Sequence, residues 1–497
     1  MNLIPNKPSN TPSYYCTWEA QNNIEKTDRE SDYAAFEGDQ GAQMARASLN
    51  DDILFGKNGL ALQYEKVRGD LYFILDDGWD VPYNVHPATD MYEFGSLLLN
   101  EERFPSCTGE PWERLAKMNE RIKALGWKGL GLWLAAQAQG EREGKLLSKE
   151  QSIAYYTERL KWCRQANIDY WKVDWGFHCH SVEYRKMLTD LGKEVYPELY
   201  IEHCRCMRPT NENAGRFDNW EDITDKSLDI FEFSDIFRSY DVTIPLSVVT
   251  TLDRLSVLLQ KQVSKNALGI INCEDELYIG AALGCSLGVM RTKLNKSHRN
   301  MDEVIRAVNW QRIAPAFGAG KSNISNEIGI DTWHFKPGDT WAAELIGTEL
   351  KQGAPIAMAR GLNLPRLDKP NGEAPFVVAA KNPNGAISIA TLRRASLDGI
   401  KTPECSIHLE VGDTEHPIGI FGYYGQLNLY FDRPISAMKI YAQDLAGDVA
   451  RDITDLLTVN DNRLIIPGGL IAELGLSSAS EGDNSEPGLV LALDSNF

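Results

Sequence analysis

In the stretch Asp169–Trp175, DYWKVDW, a lysine and an aspartate interrupt a run of strand-forming residues. Tyr170, Trp171 and Val173 favour extended backbone, and the run is too short for a helix. A charge inside a buried parallel strand is costly unless it is paired or put to use. Lys172 and Asp174 are two residues apart, so they share one side of the strand. Two readings are open at this point: a structural Lys–Asp ion pair, or the end of a strand that carries a site, with Asp174 as candidate nucleophile.

Other strand-like runs end in the same kinds of residue. YYCTW (14–18) ends at Trp18-Glu19, and LYFILD (71–76) runs into Asp76-Asp77-Gly78-Trp79. LGLWLA (130–135) carries Trp133, and LYIEH (199–203) leads through Glu202 and His203 to Arg205. IFEFSD (230–235) leads into Asp235, Arg238 and Asp241, and LGIIN (268–272) into Asn272, Glu274 and Asp275. Taken singly, Asp76-Asp77-Gly78 suits a turn or a helix cap, and Arg238 with Asp241 suits a surface ion pair. Taken together, carboxylates and tryptophans on one rim suit a sugar: carboxylates accept from vicinal hydroxyls, and indoles cover the apolar face of a pyranose ring. His178-Cys179-His180 and His203-Cys204-Arg205-Cys206 raise a metal reading, but their spacings lack the usual C-x2-C form, and no metal or cofactor is expected. No Ser–His–Asp arrangement or nucleophile elbow is visible.

The elements that must position these residues repeat one rhythm from Tyr14 to about Gly320: a short strand, a polar loop, a longer helix. PWERLAKMNERIKAL opens on Pro111, suited to a first helical turn, and SKEQSIAYYTERLKWCRQA has Ser148 as N-cap. A third helix is expected from Pro245, with an apolar stripe from Leu246 to Leu259. With IAPAFG (313–318) as the eighth and weakest strand, the pattern predicts an α/β fold, a (β/α)8 TIM barrel over residues 1–324. A doubly wound sheet ranks second, because no Gly-rich nucleotide-binding turn follows any strand. Residues 325–497 read instead as a C-terminal antiparallel β-sandwich domain, with hairpins expected at Asn382-Pro383-Asn384-Gly385 and near Tyr424-Gly425. Residues 1–10 read as a loose lead-in and 477–488 as a polar or disordered excursion.

The formal charge of −19 argues against nucleic acid or an anionic membrane as partner. No apolar run approaches the roughly 20 residues of a membrane span. A neutral small molecule or oligosaccharide fits better, and a homo-oligomer is allowed. Nine cysteines follow no regular framework. The first residues lack the apolar core of a signal peptide, which leaves a cytoplasmic protein or one whose signal has been removed.

In order along the chain, LYFILDDGW, KGLGLWLA, YWKVDWG, an arginine–aspartate pair after strand six and INCEDELYIG resemble the clan D glycoside hydrolases, the α-galactosidase and α-N-acetylgalactosaminidase (melibiase) families. The resemblance runs from about Tyr14 to Gly320, and a trailing β-sandwich matches the family layout. It implies a retaining exo-glycosidase acting on α-galactosides or a close relative, with Asp174 as nucleophile and Asp241 as acid/base; Asp235 remains a rival for the second role. It further implies that Lys172 contacts the sugar, that Asp76 and Asp77 accept its 4- and 6-hydroxyls, and that Trp18 and Trp133 line the ring. Arg238 would orient the acid/base, and Asp275 falls where the family has the second aspartate of Asn-Asp-Pro-Asp. Glu202 and Arg205 stand in the strand-five loop that reads the sugar's 2-substituent. An α-N-acetylgalactosaminidase, a β-L-arabinopyranosidase or a non-catalytic sugar-binding barrel are the alternatives.

Overall fold

Eight parallel strands close into a barrel in chain order: β1 (Ser13–Cys16), β2 (Leu71–Leu75), β3 (Gly129–Leu134), β4 (Tyr170–Val173), β5 (Tyr200–Arg205), β6 (Ile236–Ser239), β7 (Ile270–Glu274) and β8 (Ser286–Val289), with β8 pairing back onto β1. The structure is a computed structural model and describes residues 1–24, 45–205, 207, 220–239, 245–265, 267–292, 300–337, 339, 345–369 and 374–494. Closure excludes the doubly wound alternative, which needs two open edges.

The period of two along each strand separates two populations of side chain. Tyr15, Phe73, Leu132, Trp171, Val173 and Phe237 face outward into the large core beneath the helices. Tyr14, Cys16, Tyr72, Ile74, Trp133, Tyr170 and Ile236 face inward and form a separate cluster. Lys172 and Glu202 lie on the same inward phase, in register with each other across β4 and β5.

The helix Pro111–Ala124 starts at Pro111, and Lys149–Ala166 carries a capping box from Ser148 to Gln151, both as expected. The third begins at Ser247, two residues beyond Pro245. Two strand assignments fail. Ile230–Phe233 lie in the helix Trp220–Phe233, where Ile230 and Phe231 are its buried face, and the sixth strand starts only at Ile236. The eighth strand is Ser286–Val289; residues 314–318 follow the helix Met301–Ile313. A strand of sequence SLGV carries a weak pattern because Gly288 faces a crowded interior, where a Cβ would stand 2.8 Å from the Tyr14 hydroxyl.

The C-terminal sheets pack face to face, eight strands against five, over a core that includes Val377, Ile389, Ile407, Leu427 and Leu464. Most pairs are antiparallel, but Ala357–Arg360 with Phe376–Lys381, Ile387–Leu392 with Ile418–Phe421, and Ser406–Gly412 with Gln426–Phe431 are parallel. The strand Ser322–Ile324 already belongs to the eight-stranded sheet. Asn382–Gly385 makes the expected hairpin, with Gly385 at φ +97°. Tyr424-Gly425 does not: the flanking strands lie in different sheets, so the chain crosses there.

Barrel and sandwich share an extensive polar seam. Arg306, fully buried, grips Asp444 through Nε and Nη2 at 2.9 and 3.1 Å, and Arg360 donates to the Leu283 carbonyl at 2.6 Å. Breaking one such buried pair costs on the order of 3–5 kcal/mol. The polar stretch 477–488 is part of this seam: Asp483 accepts from the backbone N–H of Met301 and Asp302, and Asp302 accepts from Ser480. Through Ser480 and Asp483 it caps the helix Met301–Ile313 of the other domain, while residues 477–482 remain exposed as in a polar loop. The lead-in is anchored too, through Leu3 N–H on Gln443 and Ala450 N–H on the Met1 carbonyl.

Candidate active site

Asp174 is the first residue beyond β4, at the C-terminal mouth of the barrel. Its N–H continues the ladder to the Leu134 carbonyl at 2.9 Å. Arg185, from the helix Val182–Val195, donates to the carbonyls of Val173 and Asp174 at 3.1 and 2.6 Å, which pins the strand end from behind. Gly176 sits at φ +141°, and a Cβ there would meet the Ala136 backbone at 2.7 Å, so the turn carrying Asp174 needs a glycine. The Asp174 carboxylate accepts from Trp133 Nε1 at 3.1 Å, with Arg238 Nη2 3.8 Å away on the same oxygen. A hydrogen-bond donor and a guanidinium both favour its ionised form.

Lys172, predicted to lie beside the nucleophile, bonds across the interior to β2's extension. Its ammonium donates to Asp76 Oδ2 at 2.6 Å and to Cys16 Sγ at 3.4 Å. The Cys16 thiol donates to the same Asp76 oxygen at 3.0 Å. Burial and Arg238 oppose the charge on Lys172, but the neighbouring anionic groups, Asp76 first, hold its pKa well above the ordinary lysine value. Asp77 meets a different cation: Arg46 Nη2 lies 2.5 Å from its Oδ2, which also accepts from Trp175 Nε1 at 3.1 Å. The Arg46 guanidinium stands between 5.4 and 5.7 Å from the ring centres of Phe94, Trp175 and Trp18. Burial raises the Asp77 carboxyl, and Arg46 pulls against it. Among the described residues its other oxygen, Oδ1, is buried without a hydrogen-bond partner.

Below this rim lies a layer of acids and hydroxyls. Glu202, fully buried on β5, accepts from Tyr170 at 2.7 Å and faces Tyr14 at 3.3 Å. Arg238, on β6, donates to Glu274 at 2.5 Å and to Cys204 Sγ at 3.1 Å. Burial raises the pKa of Glu202, with Arg238 and Tyr170 opposing it.

The described residues of the expected rim fall into several contact groups. Trp133, Asp174 and Arg238 form one contact group, joined to Glu202 at 3.6 Å from Arg238 Nε, while Lys172 and Asp76 form a second with Cys16. Trp18 opens the helix Trp18–Ile24 and joins the rim through Arg46. Arg205 ends β5 and donates to His180 Nδ1 at 2.6 Å; burial and Arg205 push the His180 pKa down to about 4. Asp275 follows β7 with φ +54°, faces Arg291 Nε at 3.3 Å, and burial pushes its carboxyl up to about 6. Asp241 lies outside the described residues.

Asp235 is a correction. Because the sixth strand starts at Ile236, Asp235 precedes it and stands at the opposite, N-terminal end of the barrel, where it accepts from the Ile201 N–H at 3.2 Å and faces Lys193 at 3.6 Å. It cannot reach a substrate at the C-terminal mouth. His203 also leaves the site: it points outward and is held by Arg185 and Thr189. His178 stacks on Tyr184 and faces Glu141 at 3.1 Å. Among the described residues no cluster of His, Cys, Asp or Glu is arranged to hold a metal ion.

Sequence reasoning missed Arg46, Trp175, Tyr14, Tyr170 and Cys16 as members of the site. The last three carried a usable signal, since each shares the inward phase of a strand already recognised. Arg46 carried none, because it reaches the rim from a connecting segment.

The sequence matches no family model and no curated protein. Among solved structures it is similar to α-galactosidase I from Mortierella vinacea, at 13% identity over 97% of this chain and 96% of that one, with a TM-score of 0.41. It is also similar to an α-galactosidase from Saccharomyces cerevisiae, at 11% identity over 98% and 100% of the two chains, with a TM-score of 0.39. No helix among the described residues is long and apolar enough to cross a membrane.

Proposed function

We propose that the chain is a retaining exo-glycosidase that releases a terminal α-linked galactose or a closely related sugar. The supporting observation is the position of Asp174: a carboxylate at the C-terminal end of β4, hydrogen-bonded by an indole N–H and facing an arginine. In this reading Asp174 attacks the anomeric carbon while Asp241 protonates the departing glycosidic oxygen. Asp241 then takes a proton from water, which attacks the same carbon and frees Asp174 with net retention. Asp76, Lys172 and Asp77 present acceptors and donors to the ring hydroxyls, and Trp18 and Trp133 border its apolar face. The motifs LYFILDDGW and YWKVDWG support the sugar class; the strand-five residues leave the 2-substituent open between the hydroxyl of galactose and the acetamido group of N-acetylgalactosamine, and L-arabinopyranose, which lacks the C5 hydroxymethyl, stays a third candidate.

The test is hydrolysis of chromogenic α-galactoside, α-N-acetylgalactosaminide and β-L-arabinopyranoside by the wild type and by Asp174→Asn. Release of chromophore from at least one substrate, abolished in the folded variant, is expected because an amide cannot form the glycosyl ester. Sugar binding without turnover by the wild type would make the chain a binding barrel instead.

A further inference from the structure

A single hydroxyl proton is shared out below the nucleophile. Tyr14 Oη lies 3.3 Å from Glu202 Oε1 and 3.2 Å from Glu274 Oε2, and a phenol has one proton to donate. If both glutamates were ionised, one of these contacts would set two acceptors against each other in a buried space. Glu274 is the one with the cation: Arg238 Nη1 lies 2.5 Å from its Oε2. Glu202, like Asp174 at 3.8 Å, lies within ion-pair range of Arg238 but takes no hydrogen bond from it. Arg238 Nε stands 3.6 Å from Glu202 Oε1, beyond hydrogen-bonding range, and donates instead to Cys204 Sγ at 3.1 Å.

We infer that Glu202 is a protonated carboxylic acid, donating to Tyr14, and that by staying neutral it leaves Arg238 to Glu274 and Asp174, which makes it a positioning residue for the nucleophile. The chain of donors then closes: Glu202 to Tyr14, Tyr14 to Glu274, Arg238 to Glu274 and toward Asp174. Tyr170, on β4, donates to the other oxygen of Glu202 at 2.7 Å. The groups facing Glu202 are Tyr14 from β1, Tyr170 and Lys172 from β4, Cys204 from β5 and Arg238 from β6. Burial outweighs the two cations, as it does for other carboxyls fully removed from water. Ionising Glu202 would add a second anion beside Arg238 and draw the guanidinium down, away from Asp174. Ionisation of Glu202 is therefore expected to lower turnover on the alkaline side. This role rests on the glycosidase reading, whereas the protonation state does not.

The experiment reads the two separately. Infrared difference spectra of wild type minus Glu202→Gln at pH 7 should contain the C=O stretch of a protonated carboxylic acid, whether or not the protein turns over sugar. Tyr14→Phe, which removes the acceptor and keeps the carboxyl, should shift that band, and serves if the glutamine variant does not fold. The sign for stability follows from a folded pKa above the unfolded one of about 4.3. The stability that Glu202 contributes is complete below the unfolded value and is lost as pH rises through the folded value. Glu202→Gln, whose amide donates to Tyr14 and whose carbonyl accepts from Tyr170, should thus gain in melting temperature relative to wild type as pH rises from 5 to 8. In the active enzyme it should also carry the alkaline limb of kcat/KM to higher pH. No acid band in either difference spectrum, or a glutamine variant that loses melting temperature as pH rises, would make Glu202 an ionised partner of Arg238 and overturn the inference.

Discussion

Lys172 and Asp76 meet inside the barrel with 2.6 Å between Nζ and Oδ2, although β3 lies between their strands. Both side chains are all but fully buried, so the contact spans the interior and does not run along its surface. Asp174, two residues beyond Lys172, is served by Trp133 and Arg238. The lysine and the aspartate of YWKVDW therefore each have a partner from another strand.

Replacing Lys172 by methionine leaves Asp76 buried beside a thiol with no cation. Removing one partner of a buried pair costs about 3–5 kcal/mol, while replacing both is far milder. Lys172→Met should lower the urea unfolding free energy by about that amount, and Lys172→Met with Asp76→Asn should recover much of it. A loss below about 1 kcal/mol in the single variant would mean that water reaches the pair.

Trp133→Phe keeps an aromatic ring on β3 and deletes the N–H that Asp174 accepts. A hydrogen bond to a charged group contributes about 1.5–3 kcal/mol, which corresponds to roughly a ten- to hundred-fold drop in kcat/KM if it holds the attacking carboxylate. The check is steady-state kinetics on the best chromogenic glycoside, with a thermal melt as control. An unchanged rate would show that the indole donor is not aimed at the working oxygen.

Asp241→Ala and Asp235→Ala should separate cleanly. Asp235 sits at the wrong end of β6, so its loss should remove the acceptor of the Ile201 N–H and the partner of Lys193, about 1 kcal/mol of stability, with leaving-group dependence unaltered. Asp241→Ala should slow poor leaving groups far more than good ones, and azide should restore turnover by attacking the glycosyl intermediate. Azide rescue in Asp235→Ala alone would reverse the assignment.

The two aspartates also show why local pattern misplaces a strand. Ile230, Phe231 and Phe233 are β-formers in any window, yet they sit on a helix because that helix needs an apolar face against the barrel. Shifting the strand start to Ile236 moves Asp235 from one rim to the other and carries Arg238 into the interior. The eighth strand hid for the opposite reason: its glycine and serine make room for Tyr14 and Asn272, so its composition reports the neighbours' size and not its own conformation.

Local order alone determined the alternation of strand and helix, the caps at Pro111 and Ser148, the change to β structure past residue 320, and the appearance of Asp76, Asp77, Trp133, Lys172 and Asp174 at strand ends. Those features depend on residues a few positions apart, where backbone sterics and the periods of helix and strand act directly. Only the closed barrel decided the partners: Lys172 with Asp76, Asp77 with Arg46, Arg238 with Glu274, Glu202 with Tyr170. All four pairs are separated by 30 to nearly 100 residues, and their choice is set by register and by which carboxylates the buried interior can leave charged.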